Sequence, residues 1–179
     1  MKSFKALLLD SQAVGRALRR ISHEILERNG GCDDICIIGV KRRGVPLSRI
    51  IADNIYNIEK IRVPVGSVDI TLYRDDLTEI ASEAVVAGSE IDFDITGKNV
   101  ILVDDVLFTG RTVRAAMEAL IKVGRPKSVQ LAVLIDRGHR ELPIRGDYVG
   151  KNVPTAKSEY ISVKLPPFDE ELSVSLCDR

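Results

Sequence analysis

Two adjacent carboxylates and a small polar turn occur within one short segment of the chain, at residues 100–112. Asp104 and Asp105 follow four apolar residues, and the sequence Thr-Gly-Arg-Thr at 109–112 precedes a helical pattern. Carboxylates accept hydrogen bonds from sugar hydroxyls. A glycine-containing turn that opens a helix presents free backbone N–H groups, which suit a phosphate. The segment is therefore suited to bind a sugar phosphate.

The alternative interpretation of this segment is an ordinary buried strand followed by a helix cap. That interpretation explains the apolar run at 100–103 and one threonine. It does not explain two neighbouring carboxylates together with a complete Thr-Gly-Arg-Thr turn. We therefore favour a ligand site at the carboxyl end of a strand, where open α/β sheets bind their ligands.

Alternating strands and helices are predicted around this segment. The hydrophobic pattern indicates helices at 11–29, 45–57 and 112–123 and strands at 35–40, 65–73, 100–103, 129–135, 160–165 and 172–176. Asp10 or Ser11 is a suitable N-cap of the first helix, and Gly30 with Gly31 ends it. Strands that alternate with helices predict βαβ units and a parallel sheet, so the fold class is α/β.

Length and composition are those of a single globular domain spanning residues 1–179. The chain is 45% hydrophobic and 29% charged, with a net charge of zero, so no global field attracts nucleic acid. The longest apolar stretches fall short of the ~20 residues of a membrane span, and the N-terminal one is too short for a signal peptide. We expect a cytoplasmic protein without a membrane partner. Three cysteines without a CxxC pair, and two histidines, argue against a disulfide framework or a zinc site.

The 100–112 segment resembles the 5-phosphoribosyl-1-pyrophosphate (PRPP) binding motif of the type I phosphoribosyltransferases. The resemblance implies their fold: a central parallel sheet flanked by helices, a small hood at approximately 136–160 plus the C-terminal tail, and a flexible lid or arm at 74–97. It implies attack by a nitrogen of a base on the anomeric carbon of PRPP, with release of pyrophosphate. The implied cofactor is Mg²⁺, held by PRPP and, through water, by Asp104 and Asp105.

Two further segments are similar to this family's pattern. Lys41 and Arg42 follow the strand at 35–40 and occupy the position of the pyrophosphate loop, although a solvated basic turn is the alternative. Arg74 stands in the lid, where it would reach the departing pyrophosphate, unless this is an ordinary exposed loop. The implied catalytic residues are Arg74, Asp104 and Asp105. The implied PRPP-binding residues are Lys41, Arg42, Asp104, Asp105, Val106, Leu107, Phe108, Thr109, Gly110, Arg111 and Thr112.

The residue at position 108 bears on the identity of the base. Similar enzymes that act on 6-oxopurines carry an aspartate there, whereas Phe108 cannot exchange a proton. This departure favours a pyrimidine, uracil, over hypoxanthine or guanine. The resemblance implies that Tyr148 packs on the base, that the Val149 backbone reads its edge, and that Arg137 contacts a base oxygen.

A second group of side chains is basic. On a helical wheel of residues 11–29, Arg16, Arg19, Arg20 and His23 lie opposite the apolar stripe. A charged outer helix face is usually only solvated, so charge alone does not argue for RNA. However, this helix and the hood resemble a bacterial group within the family that regulates pyrimidine operons by attenuation and also has uracil phosphoribosyltransferase activity. The RNA-binding residues implied by this resemblance are Arg19, Arg20, His23, Arg140, Arg145 and Lys151.

The resemblance also implies a set of partners. These are PRPP, uracil, UMP or UTP, a hairpin of pyrimidine leader mRNA, and further copies of the chain in a homodimer or larger homo-oligomer. Arg19 stands where these relatives often have threonine, which puts a base-specific RNA contact there in doubt. The alternative function is a uracil salvage enzyme that does not bind RNA.

Overall fold

The computed structural model describes residues 3–71 and 89–178. Its helices are α1 (Ser11–Asn29), α2 (Gly44–Glu59) and α3 (Arg111–Val123). Its strands are β1 (Ser3–Leu9), β2 (Ile35–Val40), β3 (Val65–Val68), β4 (Asn99–Leu107), β5 (Ser128–Asp136), β6 (Tyr148–Asn152), β7 (Glu159–Lys164) and β8 (Ser173–Asp178). In the part of the chain that the structure describes, no helix combines the length and the apolar character that a membrane crossing requires.

A five-stranded parallel sheet in the order β3-β2-β4-β5-β6 forms the centre of the fold. Helices α1 and α2 contribute to the hydrophobic cluster on one face, and α3 contributes to the cluster on the other. Because both faces are covered, β2 is buried at all six positions and reads as a continuous apolar run. The predicted fold class, a central parallel sheet flanked by helices, is confirmed.

Helix α1 begins and ends where the sequence predicts. Asp10 is the N-cap, because its Oδ1 accepts a hydrogen bond from the Ala13 N–H at 2.8 Å. Gly30 ends the helix in the left-handed conformation, with φ of 64°. The buried face of α1 includes Leu18 and Ile21, which pack in the same cluster as β2.

A second, antiparallel sheet has the order β1-β8-β7 and joins the two ends of the described chain. Strands β7 and β8 were predicted, but β1 was not, because Phe4 and Leu7 are exposed and the segment shows no regular apolar alternation. The predicted hood at approximately 136–160 is not wholly separate from the core, since β6 pairs with β5 as the fifth strand of the central sheet. Strand β6 has only five residues and ends in Lys151 and Asn152, so its pattern does not indicate a sheet.

Strand β4 is longer than predicted and contains both carboxylates. Its pairing with β2 stops at Val103 opposite Gly39, whereas its pairing with β5 continues to Leu107 opposite Asp136. Asp104 and Asp105 therefore lie on a part of β4 that pairs with β5 but no longer with β2. The loop after β2 fills the edge beside them. Strand β3 ends at Val68, short of the predicted end at 73, and of the predicted lid only residues 89–97 are described.

Candidate active site

A cavity of about 430 Å³ lies at the carboxyl edge of the central sheet. Its walls come from the loop after β2, the segment after β3, the end of β4 and the start of α3. The residues that line it are Val40, Lys41, Arg42, Arg43, Ile70, Thr71, Asp104, Asp105, Val106 and Thr112. The structure thus brings the predicted basic loop and the predicted acidic pair into one cavity.

The acidic pair is strongly desolvated. Asp104 is only 7% exposed, and this burial, followed by the neighbouring charge of Asp105, raises the pKa of the Asp104 carboxyl well above its usual range. The N–H of Asp105 donates to Asp104 Oδ1 at 2.9 Å, and the N–H of Val106 donates to Asp105 Oδ1 at 2.8 Å. A ligand that offers hydroxyl donors or brings a cation would stabilise the ionised pair.

Two carboxylates are too few for a dedicated magnesium site. Among residues 3–71 and 89–178, no group of three or more His, Cys, Asp or Glu side chains is placed to hold a metal ion. Mg²⁺ is usually bound by one or two carboxylates together with substrate phosphates and waters. The donor set therefore fits an ion that arrives with a phosphorylated substrate.

The turn at 109–112 opens α3 as the sequence predicts. Gly110 precedes the helix with φ of 92°, a conformation that favours glycine. The Thr109 hydroxyl accepts a hydrogen bond from the Arg111 N–H at 3.3 Å. The N-cap residue, Gly110, has no side chain, so the N–H groups that follow Arg111 at the start of α3 are suited to an anion.

The hood holds this turn from the other side. The carbonyl oxygen of Thr109 accepts hydrogen bonds from the N–H groups of Glu141 and Leu142, at 2.9 and 3.2 Å. Arg140 donates from Nη1 to the Phe108 carbonyl at 2.7 Å, from Nε to the Ile144 carbonyl at 2.7 Å, and from Nη2 to Asp136. The sequence did not predict this internal role of Arg140, because its partners are not local. The predicted RNA contact of Arg140 stays a prediction.

The three predicted base-contacting residues have different surroundings. Tyr148 is 3% exposed, and its hydroxyl donates to Gln130 Oε1 at 2.6 Å in the core beneath α1. The sheet register places it close to the level of Asp104, but its side chain packs into the core cluster and does not line the cavity. The predicted stacking of Tyr148 on the base is therefore wrong. The Val149 carbonyl accepts a hydrogen bond from Arg20 at 3.1 Å, so the predicted reading of a base edge by this backbone is not supported.

Arg137 lies beneath the hood and against the predicted PRPP turn. Its guanidinium lies 3.9 Å from the ring centroid of Phe108. It also donates to Thr155 Oγ1 and to the carbonyl oxygens of Ala156 and Glu159, at 3.0, 3.2 and 2.9 Å. The contact of Arg137 with a base oxygen stays a prediction.

The predicted RNA-binding residues of α1 lie beside the central sheet. Arg20 donates from Nη2 to the carbonyl oxygens of Val149 and Gly150, at 3.1 and 2.6 Å, and pairs with Glu24 through Nη1. Lys151 directly follows Gly150 in the sequence. The basic side of α1 therefore lies next to part of the hood. The other members of the predicted set are exposed, namely Arg19, His23, Arg145 and Lys151. Arg74 lies outside the described residues.

Comparisons with known proteins agree with this architecture. Residues 6–167 match the phosphoribosyl transferase domain. The bifunctional protein PyrR of Clostridium novyi (strain NT) is 58% identical over 176 residues, which cover 98% of this chain and 99% of that protein. The bifunctional protein PyrR of Clostridium acetobutylicum is 60% identical over 174 residues, with coverage of 97% and 98%. A hypoxanthine-guanine phosphoribosyltransferase from Bacillus anthracis shares the fold at a TM-score of 0.68 and 20% identity, with both chains fully covered.

The chain therefore belongs to the phosphoribosyltransferase family, and within it to the group of the bifunctional PyrR proteins.

The raised pKa of Asp104 predicts an unusual dependence of stability on pH. A carboxyl whose folded pKa exceeds its unfolded pKa stabilises the fold at low pH, and this stability is lost as the pH rises through the folded pKa. We therefore expect Asp104→Asn to increase the free energy of unfolding at pH 8, with a gain that shrinks towards pH 4. Urea denaturation across this range measures the effect.

Asp94→Asn is the control of opposite sign. The pKa of Asp94 is lowered, chiefly by the N–H of Thr96, which donates to its Oδ1 at 2.8 Å. The stability that ionised Asp94 contributes is present above its unfolded pKa and is lost as the pH falls through its folded pKa. Asp94→Asn should therefore be less stable than the wild type at pH 8. Equal stability of Asp104→Asn and the wild type at every pH would contradict the role given to burial.

Proposed function

We propose that this protein forms UMP and pyrophosphate from uracil and PRPP, and that it also binds pyrimidine leader mRNA when a uridine nucleotide occupies the same site. The observation that carries the first activity is the single cavity lined by Asp104, Asp105, Lys41 and Arg42 beside the turn that opens α3. The second activity is supported by the group of bifunctional relatives and by the basic residues beside β6. The proposal includes a cytoplasmic location.

Each part of the cavity has a role in this reaction. The turn at 109–112 binds the 5′-phosphate, and Asp104 with Asp105 accepts hydrogen bonds from the ribose hydroxyls. A ring nitrogen of uracil attacks the anomeric carbon as the bond to pyrophosphate breaks, and the proton of that nitrogen passes to water or to the departing pyrophosphate. Lys41 and Arg42 stabilise the charge that develops on the departing pyrophosphate. Mg²⁺, when bound together with PRPP, would supply further neutralisation of that charge.

The proposed reaction requires a lid over the site for a chemical reason. A ribosyl centre with cationic character reacts with water, so the site must be covered during the reaction. Arg74 would then contact the departing pyrophosphate from the lid.

The selection of uracil is supported by Phe108. An aromatic ring cannot exchange a proton with a purine nitrogen, and the Arg137 guanidinium is held 3.9 Å from the centroid of this ring. Arg137 is in turn held by the turn at 155–159. The proposal keeps Arg137 as the donor to a base oxygen.

The double variant Asp104→Asn, Asp105→Asn tests the enzymatic half. We expect UMP formation to fall by more than about a hundredfold, because the ribose acceptors lose their charge. The assay supplies labelled uracil, hypoxanthine and guanine in parallel. Asp53→Asn is the matched control, since Asp53 is an exposed carboxylate on α2 that pairs with Arg62 outside the cavity. Full activity of the double variant would refute the site, and faster use of hypoxanthine than of uracil would favour a purine salvage enzyme.

The RNA half rests on a surface that we call the basic face, which consists of Arg19, Arg20, His23, Arg145 and Lys151. Lysine and arginine residues that contact phosphates supply most of the affinity for RNA and make it dependent on salt. Arg20 also connects α1 to β6 through two carbonyl oxygens, so its replacement would disturb packing as well as charge. Arg145 and Lys151 are exposed and give a cleaner test.

The double variant Arg145→Ala, Lys151→Ala should bind the organism's own pyrimidine leader hairpin about tenfold more weakly, with a shallower salt dependence and unchanged UMP formation. Filter binding with and without UMP measures this affinity. Lys127→Ala is the control, because Lys127 is an exposed cation that precedes β5 at the opposite end of the sheet. Wild-type binding no tighter than to unrelated RNA would leave only the salvage enzyme.

The homo-oligomer remains part of the proposal. Phe4 and Leu7 are 69% and 57% exposed, and they line a groove of about 1210 Å³ beside the edge strand β1. Exposed apolar patches of this kind mark interaction sites. Sedimentation velocity should therefore show at least a dimer, and Phe4→Asp with Leu7→Asp should shift it towards monomer. A monomeric wild type at micromolar concentration would refute the assembly.

A further inference from the structure

We propose that Phe168, in the turn after β7, is a positioning residue for pyrophosphate: its ring holds the Arg42 guanidinium at the cavity and leaves the N–H donors of Arg42 available to phosphate oxygens. The inference rests on the proposed function, which gives Arg42 the pyrophosphate. Neither the motif nor the basic loop predicts a role for residue 168.

Two of the three cations in the loop after β2 have acidic or carbonyl partners. Lys41 Nζ lies 3.6 Å from Glu90 Oε1. Arg43 donates from Nε to the Val163 carbonyl at 2.7 Å and from Nη2 to Asp169 Oδ2 at 3.1 Å. Arg43 therefore connects the loop to the C-terminal segment, with two of its nitrogens already used.

Arg42 is held chiefly by the ring of Phe168, which the Arg43 guanidinium carbon also approaches, at a longer distance of 5.8 Å from the ring centroid. The Arg42 guanidinium carbon lies 4.8 Å from the ring centroid of Phe168. The Arg42 carbonyl accepts a hydrogen bond from the Val45 N–H at 3.3 Å, but across residues 3–71 and 89–178 the guanidinium of Arg42 has no hydrogen bond and no ion pair. The side chain lines the cavity beside Asp104 and Asp105. Arg42 is thus oriented by an aromatic ring while the hydrogen-bonding capacity of its guanidinium remains unused by the described protein.

The turn that carries Phe168 is itself fixed. Asp169 Oδ2 accepts a hydrogen bond from the Leu165 N–H at 2.9 Å, and the N–H groups of Phe168 and Asp169 both donate to the Leu165 carbonyl at 3.1 Å. The Leu165 N–H, followed by Arg43, lowers the pKa of the Asp169 carboxyl, so this acceptor stays ionised at neutral pH. Phe168 is 38% exposed, which leaves its ring accessible at the surface beside the basic loop. A closed turn therefore presents it to the basic loop.

An aromatic partner has an advantage over an acidic one at this position. A carboxylate would take up the in-plane N–H groups of Arg42 and cancel its charge, whereas a ring attracts the cation through its π face. The guanidinium can then offer two parallel N–H groups to phosphate oxygens. Because the long side chain is already ordered, less conformational entropy is lost when pyrophosphate binds.

Phe168→Leu removes the aromatic face and keeps an apolar side chain. We expect the KM for PRPP and the inhibition constant of pyrophosphate to rise about threefold to tenfold, with the KM for uracil unchanged. Phe168→Tyr retains the ring and should restore both constants. Tyr56→Leu is the matched control, because it removes a ring that lies 3.9 Å from the Arg62 guanidinium outside the cavity. Wild-type constants in Phe168→Leu would overturn the proposal.

A double-mutant cycle separates positioning from general support of the fold. In an Arg42→Ala background, Phe168→Leu should have no further effect on either constant, since the residue it positions is gone. A further rise of similar size in that background would overturn the proposal in favour of a structural role.

Direct titration with magnesium pyrophosphate by calorimetry separates the proposal from the proposed function. Weaker binding by Phe168→Leu than by the wild type supports the positioning role even if the wild type forms no UMP, an outcome that would refute the enzymatic function alone. Equal affinities, or no binding of pyrophosphate by the wild type, would overturn the positioning role even if UMP is formed.

Discussion

The site depends on the close approach of two backbones, at Gly44 and Val103. A Cβ atom on Gly44 would lie 2.3 Å from the Val103 carbonyl oxygen, so α2 can begin beside β4 only because residue 44 has no side chain. This approach brings the cations at 41–43 next to Asp104 and Asp105. Burying a carboxylate is costly unless opposite charge is near. The same contact therefore creates the cavity, in which burial and the neighbouring charge of Asp105 still hold the pKa of Asp104 well above its usual range.

Backbone hydrogen bonds connect the phosphate turn to the hood. The N–H of Arg137 donates to the Leu107 carbonyl at 3.1 Å, and Thr109 receives two N–H groups from the hood. The hood leads into β6, where Gly150 accepts a hydrogen bond from Arg20 on the basic face. A nucleotide phosphate at the turn and an RNA at the basic face would thus act on one connected framework. If the nucleotide raises RNA affinity, RNA must raise nucleotide affinity by the same factor.

The sequence predicts those parts of the fold and site that have local signals. The end of α1 at Gly30 and the buried strand β2 follow from a helix-ending glycine and a continuous apolar run. The meeting of Lys41 with Asp104 follows from the rule that parallel strands end at one edge. The prediction for Tyr148 was wrong for a non-local reason, because its hydroxyl donates a hydrogen bond to Gln130 on the neighbouring strand. Strand β1 was missed because its partner, β8, lies at the other end of the chain.

Arg42 at the cavity and Arg137 beneath the hood both lie against aromatic rings, and they differ in exposure. Arg137 is 3% exposed and also donates to a hydroxyl and two carbonyl oxygens, so its ring contact with Phe108 belongs to a packed, hydrogen-bonded hood. Arg42 is exposed and lies against Phe168 without such acceptors in the described structure. A ring contact fixes direction in both cases. The guanidinium N–H groups of Arg42 have no acceptor in the described structure. Its orientation against the ring can therefore serve an incoming phosphate.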